Sequence, residues 1–341
     1  MDGRGEGEGV RVLGMNNRRI LIILFAVISG LFASGLTGQK SSGAAKPGST
    51  PQLVVIDTDI GDDIDDAFAL ALALKSPELM VLGVTTTFGN TAMRTRLVER
   101  YLKEVGRGDI PVFAGPATKT DNVMTQEAYA KRDPNTKFGD GAEFILRAAR
   151  EHPGQVTLIG IGPLFTVEAA IKRDPAGFKR LKRVVIMGGS VYKGYGVDAQ
   201  GKPKAPEPEW NILNDPAGLK ALLASGVPVA MMPLDSTQVP LEAQGREAIF
   251  AHGSALTDQL TLLYHEWMGG STNRSVTPTL FDPVAVTYTF RPDLCPAKAM
   301  HIEVDAKGMT IPGQGSPNAE VCLQSDEKGF LELLERRLRA D

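Results

Sequence analysis

Six aspartates fall within ten residues of this 341-residue chain: Asp57, Asp59, Asp62, Asp63, Asp65 and Asp66. At about 4 Å and an effective dielectric of about 20, each like-charged pair costs roughly 4 kcal/mol. A carboxylate in the first turn of a helix recovers only about 0.3–1 kcal/mol from the helix dipole. Capping therefore does not account for the cluster, whereas a hard cation with oxygen ligands does. A solvated acidic loop is the plain alternative, but these aspartates sit between two apolar runs, Leu53-Val-Val-Ile and Ala67-Phe-Ala-Leu-Ala-Leu-Ala. An EF-hand fits poorly. Gly61 takes the fifth loop position rather than the sixth, and the twelfth is Phe68 instead of glutamate. A phosphotransferase with Asp57 as nucleophile and Mg²⁺ is a second chemistry for Asp57-Thr-Asp59. It needs a downstream lysine and an acidic pair after a later strand, and Phe138-Gly-Asp-Gly141 lacks the pair.

An apolar, β-branched run that ends in such a loop and opens into an Ala/Leu-rich helix reads as the carboxyl end of a strand in an α/β sheet, where these folds put their ligands. From residue 51 onward, apolar runs alternate with amphipathic stretches. Leu79–Thr87, Val156–Ile161, Arg183–Met187 and Val227–Met232 read as strands. Met93–Val105 and Asp215–Ser225, the latter with an Asp-Pro start, read as helices. The alternation predicts a mostly parallel open sheet flanked by helices on both faces, in one α/β domain over 51–341. Residues 299–305 and 320–324 are expected to add a late β pair before a closing helix over about 326–339.

The aspartate loop also carries a family resemblance. Asp57-Thr-Asp59-Ile-Gly61, then Asp65-Asp66-Ala67-Phe-Ala-Leu, resembles the amino-terminal signature of the inosine/uridine-preferring nucleoside hydrolases, with a Rossmann-like α/β fold. One residue usually separates the glycine from the Asp-Asp pair. Here Asp62, Asp63 and Ile64 intervene, and Asp65-Asp66 aligns with the pair because Ala-Phe-Ala-Leu follows; Asp62 and Asp63 are the substitutes if that alignment fails. Four further segments are similar to family motifs in the same order. Thr85-Thr-Thr-Phe-Gly-Asn90 implies a ribose contact at Asn90, and Gly162-Pro-Leu-Phe165 implies a metal ligand at the Phe165 carbonyl, where the family has threonine. Met187-Gly-Gly-Ser190 implies a substrate contact at Met187, but the family's following Gly-Asn is here Gly194-Tyr195-Gly196. Glu209-Trp-Asn211 implies ribose contacts at Glu209 and Asn211. Finally, Asp282 in Leu280-Phe-Asp-Pro283 takes the place of a metal ligand, and Phe281 stands where the family usually has a histidine that activates the leaving base. Taken alone, several of these segments are ordinary turns, caps or surface loops.

The resemblance implies hydrolysis of the N-glycosidic bond of ribonucleosides to ribose and free base. Ca²⁺ would be held by Asp59, Asp66, Asp282 and the Phe165 carbonyl, with Asp59 as catalytic base and Asp65, Asn90, Glu209 and Asn211 orienting the ribose. Asp57, at the strand end, is expected to support the loop. With Phe281 in place of the histidine, leaving-group help falls to candidates in Leu263-Tyr264-His265-Glu-Trp267-Met-Gly-Gly270, with His265 taken as a substrate contact and the Gly-Gly pair as a hinge. The alternative there is helix packing for Tyr264 and Trp267 and a surface position for His265. The non-catalytic alternative is an exported Ca²⁺-dependent nucleoside- or sugar-binding protein that has lost hydrolysis along with the histidine. Family members are often dimers or tetramers, so the resemblance also implies a homo-oligomer.

A formal net charge of -3 and the lack of a long Lys/Arg run argue against a nucleic-acid polymer as partner. Asn16-Asn-Arg-Arg19, then Ile20–Gly35, reads as the basic and apolar regions of a secretory signal. An uncleaved membrane anchor is the alternative, although the run is short and interrupted by Ser29, Gly30, Ser34 and Gly35. The Gly/Glu-rich stretch before Met15 is unlike a signal, which favours Met15 as the true start. Residues 39–50 read as a flexible linker. Export, periplasmic or extracellular, is the expectation. It would permit a disulfide between Cys295 and Cys322, which the sequence leaves open between a bond and two buried thiols.

Overall fold

The computed structural model describes residues 50–270 and 276–340. The signal, linker and start-site expectations over 1–49 lie outside the described residues, all of which fall in the unit Ala44–Asp341. No helix among the described residues is long and apolar enough to cross a membrane.

The apolar runs become strands of one sheet. In chain order these are β1 (Gln52–Thr58), β2 (Leu79–Thr86), β3 (Val112–Ala114), β4 (Gly139–Asp140), β5 (Thr157–Gly160), β6 (Arg183–Met187) and β7 (Val229–Met232). Four short strands follow: β8 (Ala297–Met300), β9 (Ile302–Val304), β10 (Thr310–Pro312) and β11 (Ala319–Cys322). The nine-stranded sheet runs β4-β3-β2-β1-β5-β6-β7-β11-β8, parallel throughout except where β8 meets β11. From β1 the chain steps outward to β4 and then returns to place β5 on the other side of β1. That reversal opens a crevice at the carboxyl ends of β1 and β5, the place where open α/β sheets bind ligands.

Both faces of the sheet are covered, so its strands are apolar on both sides. Val54 and Ile56 of β1 pack on one face with the helices Asp65–Leu74, Thr91–Glu104, Ala255–Gly270, Phe281–Phe290 and Glu327–Leu338. Val55, one residue out of phase, packs on the other face with Gly141–Glu151, Phe165–Arg173 and Pro216–Ala224. The period of two along a strand makes this division.

The carboxyl-terminal β region differs from the expected single pair. β8 pairs antiparallel with β11, and β9 pairs with β10 in a separate small sheet. Asn318 causes the break: its side chain accepts from the Ile302 N–H at 2.8 Å and donates to the Ile302 carbonyl at 2.9 Å, taking both backbone groups that would extend the ladder. Cys295 and Cys322 form a disulfide, with Cα atoms 5.7 Å apart, tying the start of β8 to the end of β11.

Candidate active site

The loop after β1 is built by its own polar groups. The Thr58 hydroxyl donates to Asp66 and accepts from the Ile60 N–H at 3.1 Å, so the strand end is bonded to the helix start. Gly61 turns the chain at φ +125°, and a Cβ there would lie 2.5 Å from the Met124 methyl. Gly162, just past β5, lets that strand end approach the loop; a Cβ on it would sit 2.9 Å from the Asp59 nitrogen. From behind, Arg94 clamps the loop. Its buried guanidinium donates to the carbonyls of Asp59, Ile60 and Phe88 and pairs with Asp62 at 2.8 Å. A segment over 120–126 closes the outer side, where Asn122 bonds Asp62, Thr125 donates to the Asp62 carbonyl at 2.7 Å and Gln126 donates to the Asp63 carbonyl at 2.7 Å. The two extra residues, Asp62 and Asp63, are thus the attachment point for this wall.

The crevice is a cavity of about 630 Å³. One side of it carries Asp59, Asp65, Asp66 and Asp282, all buried. Carboxylate oxygens of Asp65, Asp66 and Asp282 lie within 4.8 Å of one another. Two helix starts, Asp65–Leu74 and Phe281–Phe290, bring them together, and the Asp282 N–H donates to Asp65 at 3.3 Å. Burial pushes all three carboxyls well above their ordinary range, and the neighbouring carboxylates push them further. Asp59 is raised to about 7, first by burial, with Arg94 pulling the other way. Converging buried carboxylates that raise one another need a positive charge between them. Their all-oxygen character fits a hard divalent cation.

The opposite wall begins at Glu209, which caps the short helix Trp210–Asn214. Its carboxylate accepts from the N–H groups of Asn211 at 2.9 Å, Ile212 at 3.2 Å and Gly189 at 2.8 Å, and burial lifts it to about 7. Asn211 donates to the Met187 carbonyl at 3.1 Å, so Met187, Glu209 and Asn211 are one bonded unit, and all three line the cavity. Tyr195, Trp210, Trp267 and Phe281 complete the lining with aromatic surface.

Asp59, Asp65, Asp66, Met187, Glu209, Asn211 and Asp282 therefore meet in one cavity, while three other expected residues do not line it. Asn90 is exposed and caps the helix Thr91–Glu104, its side chain accepting from the Met93 N–H at 3.1 Å. Phe88, at φ +65°, makes the turn that places it there. Phe165 begins its helix with its ring stacked on Phe88 at 6.3 Å, and Ile161 lines the cavity from that segment instead. His265 is exposed on the helix Ala255–Gly270, which continues through both glycines expected to act as a hinge. Two residues along the same helix, the buried Trp267 faces the cavity, while Tyr264 is held in the core by its hydroxyl bond to the Val276 carbonyl at 2.6 Å. The tight carboxylate group contains Asp65 rather than Asp59. Asp57 lies outside the cavity, fully buried, accepting from the Thr85 hydroxyl at 2.6 Å, which removes it as a phosphotransferase nucleophile. Asp140 of Phe138-Gly-Asp-Gly141 likewise lies outside the cavity, capping the helix Gly141–Glu151 and pairing with Arg173 at 2.8 Å.

Nothing in the sequence singles out Arg94, an arginine in an ordinary amphipathic helix, or the 120–126 wall. Tyr195 and Phe281 were visible only as departures from a motif.

The profile of the family described as inosine-uridine preferring nucleoside hydrolase matches residues 54–332. The pyrimidine-specific ribonucleoside hydrolase RihA of Salmonella enteritidis is 31% identical over 315 residues, covering 84% of this chain and 98% of that protein. An uncharacterised protein of Schizosaccharomyces pombe is 29% identical over 316 residues, again 84% of this chain and 98% of its own. Among solved structures, a plant nucleoside hydrolase, PpNRh1, superposes with a TM-score of 0.74 at 26% identity, covering 86% of this chain and 100% of that one. With this match spanning the aspartate loop, the Glu209 wall and Asp282 alike, the chain belongs to the inosine-uridine preferring nucleoside hydrolase family of N-glycosyl hydrolases.

Proposed function

We propose that the protein hydrolyses the N-glycosidic bond of ribosides with a bound Ca²⁺. The observation that carries this reading is the convergence of Asp65, Asp66 and Asp282, three buried carboxylates at the mouth of the β1–β5 crevice. When bound there, the cation would polarise water and grip the ribose cis-diol. Calcium fits an all-oxygen set that leaves room for substrate hydroxyls among its six to eight ligands. Asp59, in the same cavity and raised to about 7, is placed to take the proton from the attacking water at its carboxylate oxygen. Glu209 and Asn211, fixed by backbone bonds, orient the sugar from the other wall. The carboxylates between them stabilise positive charge developing on the ribose.

The full chain incubated with uridine, cytidine, inosine and adenosine, with and without EDTA, tests the reading. Free ribose that disappears on chelation and returns with Ca²⁺ supports it; turnover unaffected by EDTA removes the metal from it. The Cys295–Cys322 bond supports export to an oxidising compartment, which fractionation of cells expressing the full chain would test. A homo-oligomer is the corresponding proposal for assembly, and light scattering decides it.

A further inference from the structure

The base of a neutral nucleoside departs as an anion unless something protonates it, and general acid help is worth about 10²–10⁴-fold. None of the described residues lining this cavity is a histidine, lysine, arginine or cysteine. Phe281 lies beside Asp282, with its ring meeting Tyr195 edge-on at 6.1 Å. The Tyr195 hydroxyl accepts from the Trp210 N–H at 3.0 Å, and both burial and the nearby Glu209 hold its proton on, making it a poor acid. Where the family places its acid, this chain therefore presents aromatic surface.

The same cavity is acidic in composition. Eight of its nineteen described lining residues are aspartate or glutamate, and none of the nineteen has a cationic side chain. Arg94 answers the loop from outside the cavity. Four aromatic side chains share the cavity with these acids. Trp210 is fixed edge-on to Phe88 at 5.9 Å, Trp267 packs on Tyr264 at 5.7 Å, and Tyr195 and Phe281 brace each other. Aromatic faces in an acidic, partly desolvated site attract organic cations.

We propose that the preferred substrates are ribosides whose base carries a fixed positive charge at the glycosidic nitrogen, of the pyridinium type, received by Trp210, Trp267, Tyr195 and Phe281. This rests on the hydrolase reading above and names its substrate class. In the reaction, a water oxygen forms the new bond to C1′, and the C1′–N bond breaks with its electron pair retained by the ring nitrogen. That nitrogen becomes neutral, and the water's proton passes to Asp59 and then to solvent. No proton has to reach the base, so a phenylalanine at position 281 costs the reaction nothing.

The test uses the full chain in Ca²⁺, with nicotinamide riboside as the cationic probe and uridine and inosine as neutral ones, each corrected for enzyme-free hydrolysis. Wild-type kcat/KM should favour the cationic probe by at least about 100-fold, in line with the lack of an acid among the described lining residues. Because that probe is intrinsically labile, Phe281→His supplies the second comparison: the cationic-to-neutral ratio should fall by at least about tenfold through a gain on uridine or inosine. A wild-type ratio within tenfold of unity, or a ratio unmoved by F281H, overturns the proposal while leaving the hydrolase reading standing. Cleavage of none of the three overturns both.

Discussion

At the scale of single residues, the site is a set of buried carboxylates, and no lysine or histidine is among the described residues that line its cavity. Asp59→Asn keeps the size and hydrogen bonding of the side chain but removes the proton acceptor. It should lower kcat by at least about 10²–10⁴-fold in a ribose-release assay with Ca²⁺ binding largely retained; unchanged turnover would remove Asp59 from the chemistry. The raised carboxyls also set a pH dependence. Asp59 moves from 3.8 to about 7, and Asp65, Asp66 and Asp282 shift in the same direction. Between about pH 4 and 7 the folded chain then holds protons that the unfolded chain has released, so the metal-free protein loses stability as pH rises through this window. A cation must displace those protons, so its affinity rises over the same range. Calorimetric titrations with Ca²⁺ at pH 5.5 and pH 8, in buffers of different ionisation heat, should show tighter binding at pH 8 and more protons released per ion bound at pH 5.5; pH-independent binding would contradict this picture.

At the scale of elements, helix starts do most of the positioning. Asp65, Asp66 and Asp282 occupy the first turns of two helices, and Glu209 caps a third. Asn90 is a cap of the ordinary kind, and here the structure departs from the resemblance. Asn90→Ala should cost about 1 kcal/mol in urea unfolding, the usual worth of such a cap, with KM within about twofold of wild type. A large rise in KM with unchanged stability would return Asn90 to the sugar site. Arg94 plays a different part, since one guanidinium joins the loop after β1 to the helix Thr91–Glu104. Arg94→Met leaves the Asp59 and Ile60 carbonyls and Asp62 without that donor, so a loss of about 3–5 kcal/mol is expected in the same unfolding experiment.

At the scale of the whole molecule, the sheet's change of direction between β1 and β5 creates the crevice, and β11 and β8 extend the sheet beyond β7. The Cys295–Cys322 bond closes a loop across β8 and β11, 27 residues apart in sequence. Its reduction should lower stability by about 2–4 kcal/mol, measured as the shift in urea midpoint with and without dithiothreitol. Bound Ca²⁺ should raise the melting temperature in proportion to the logarithm of its excess over Kd.

Most of the sheet was legible from local pattern, because alternating apolar runs and helix-start signals need only neighbouring residues. Strands predicted at Leu79–Thr87 and Arg183–Met187 and the closing helix appear within a residue or two of their expected bounds. The sequence also determined most of the acidic site, because Asp59, Asp65 and Asp66 are neighbours along the chain and Asp282 sits beside a recognisable Asp-Pro helix start. Direction was what local pattern could not supply. Asn90 and His265 have suitable chemistry, yet a turn at Phe88 and the phase of one helix carry them away, while Trp267, two residues on from His265, turns in. Only the tertiary structure placed Arg94 behind the loop and paired the two cysteines. Only it set four aromatic residues from separate segments around one cavity, because these contacts depend on where separate elements meet rather than on any spacing within one of them.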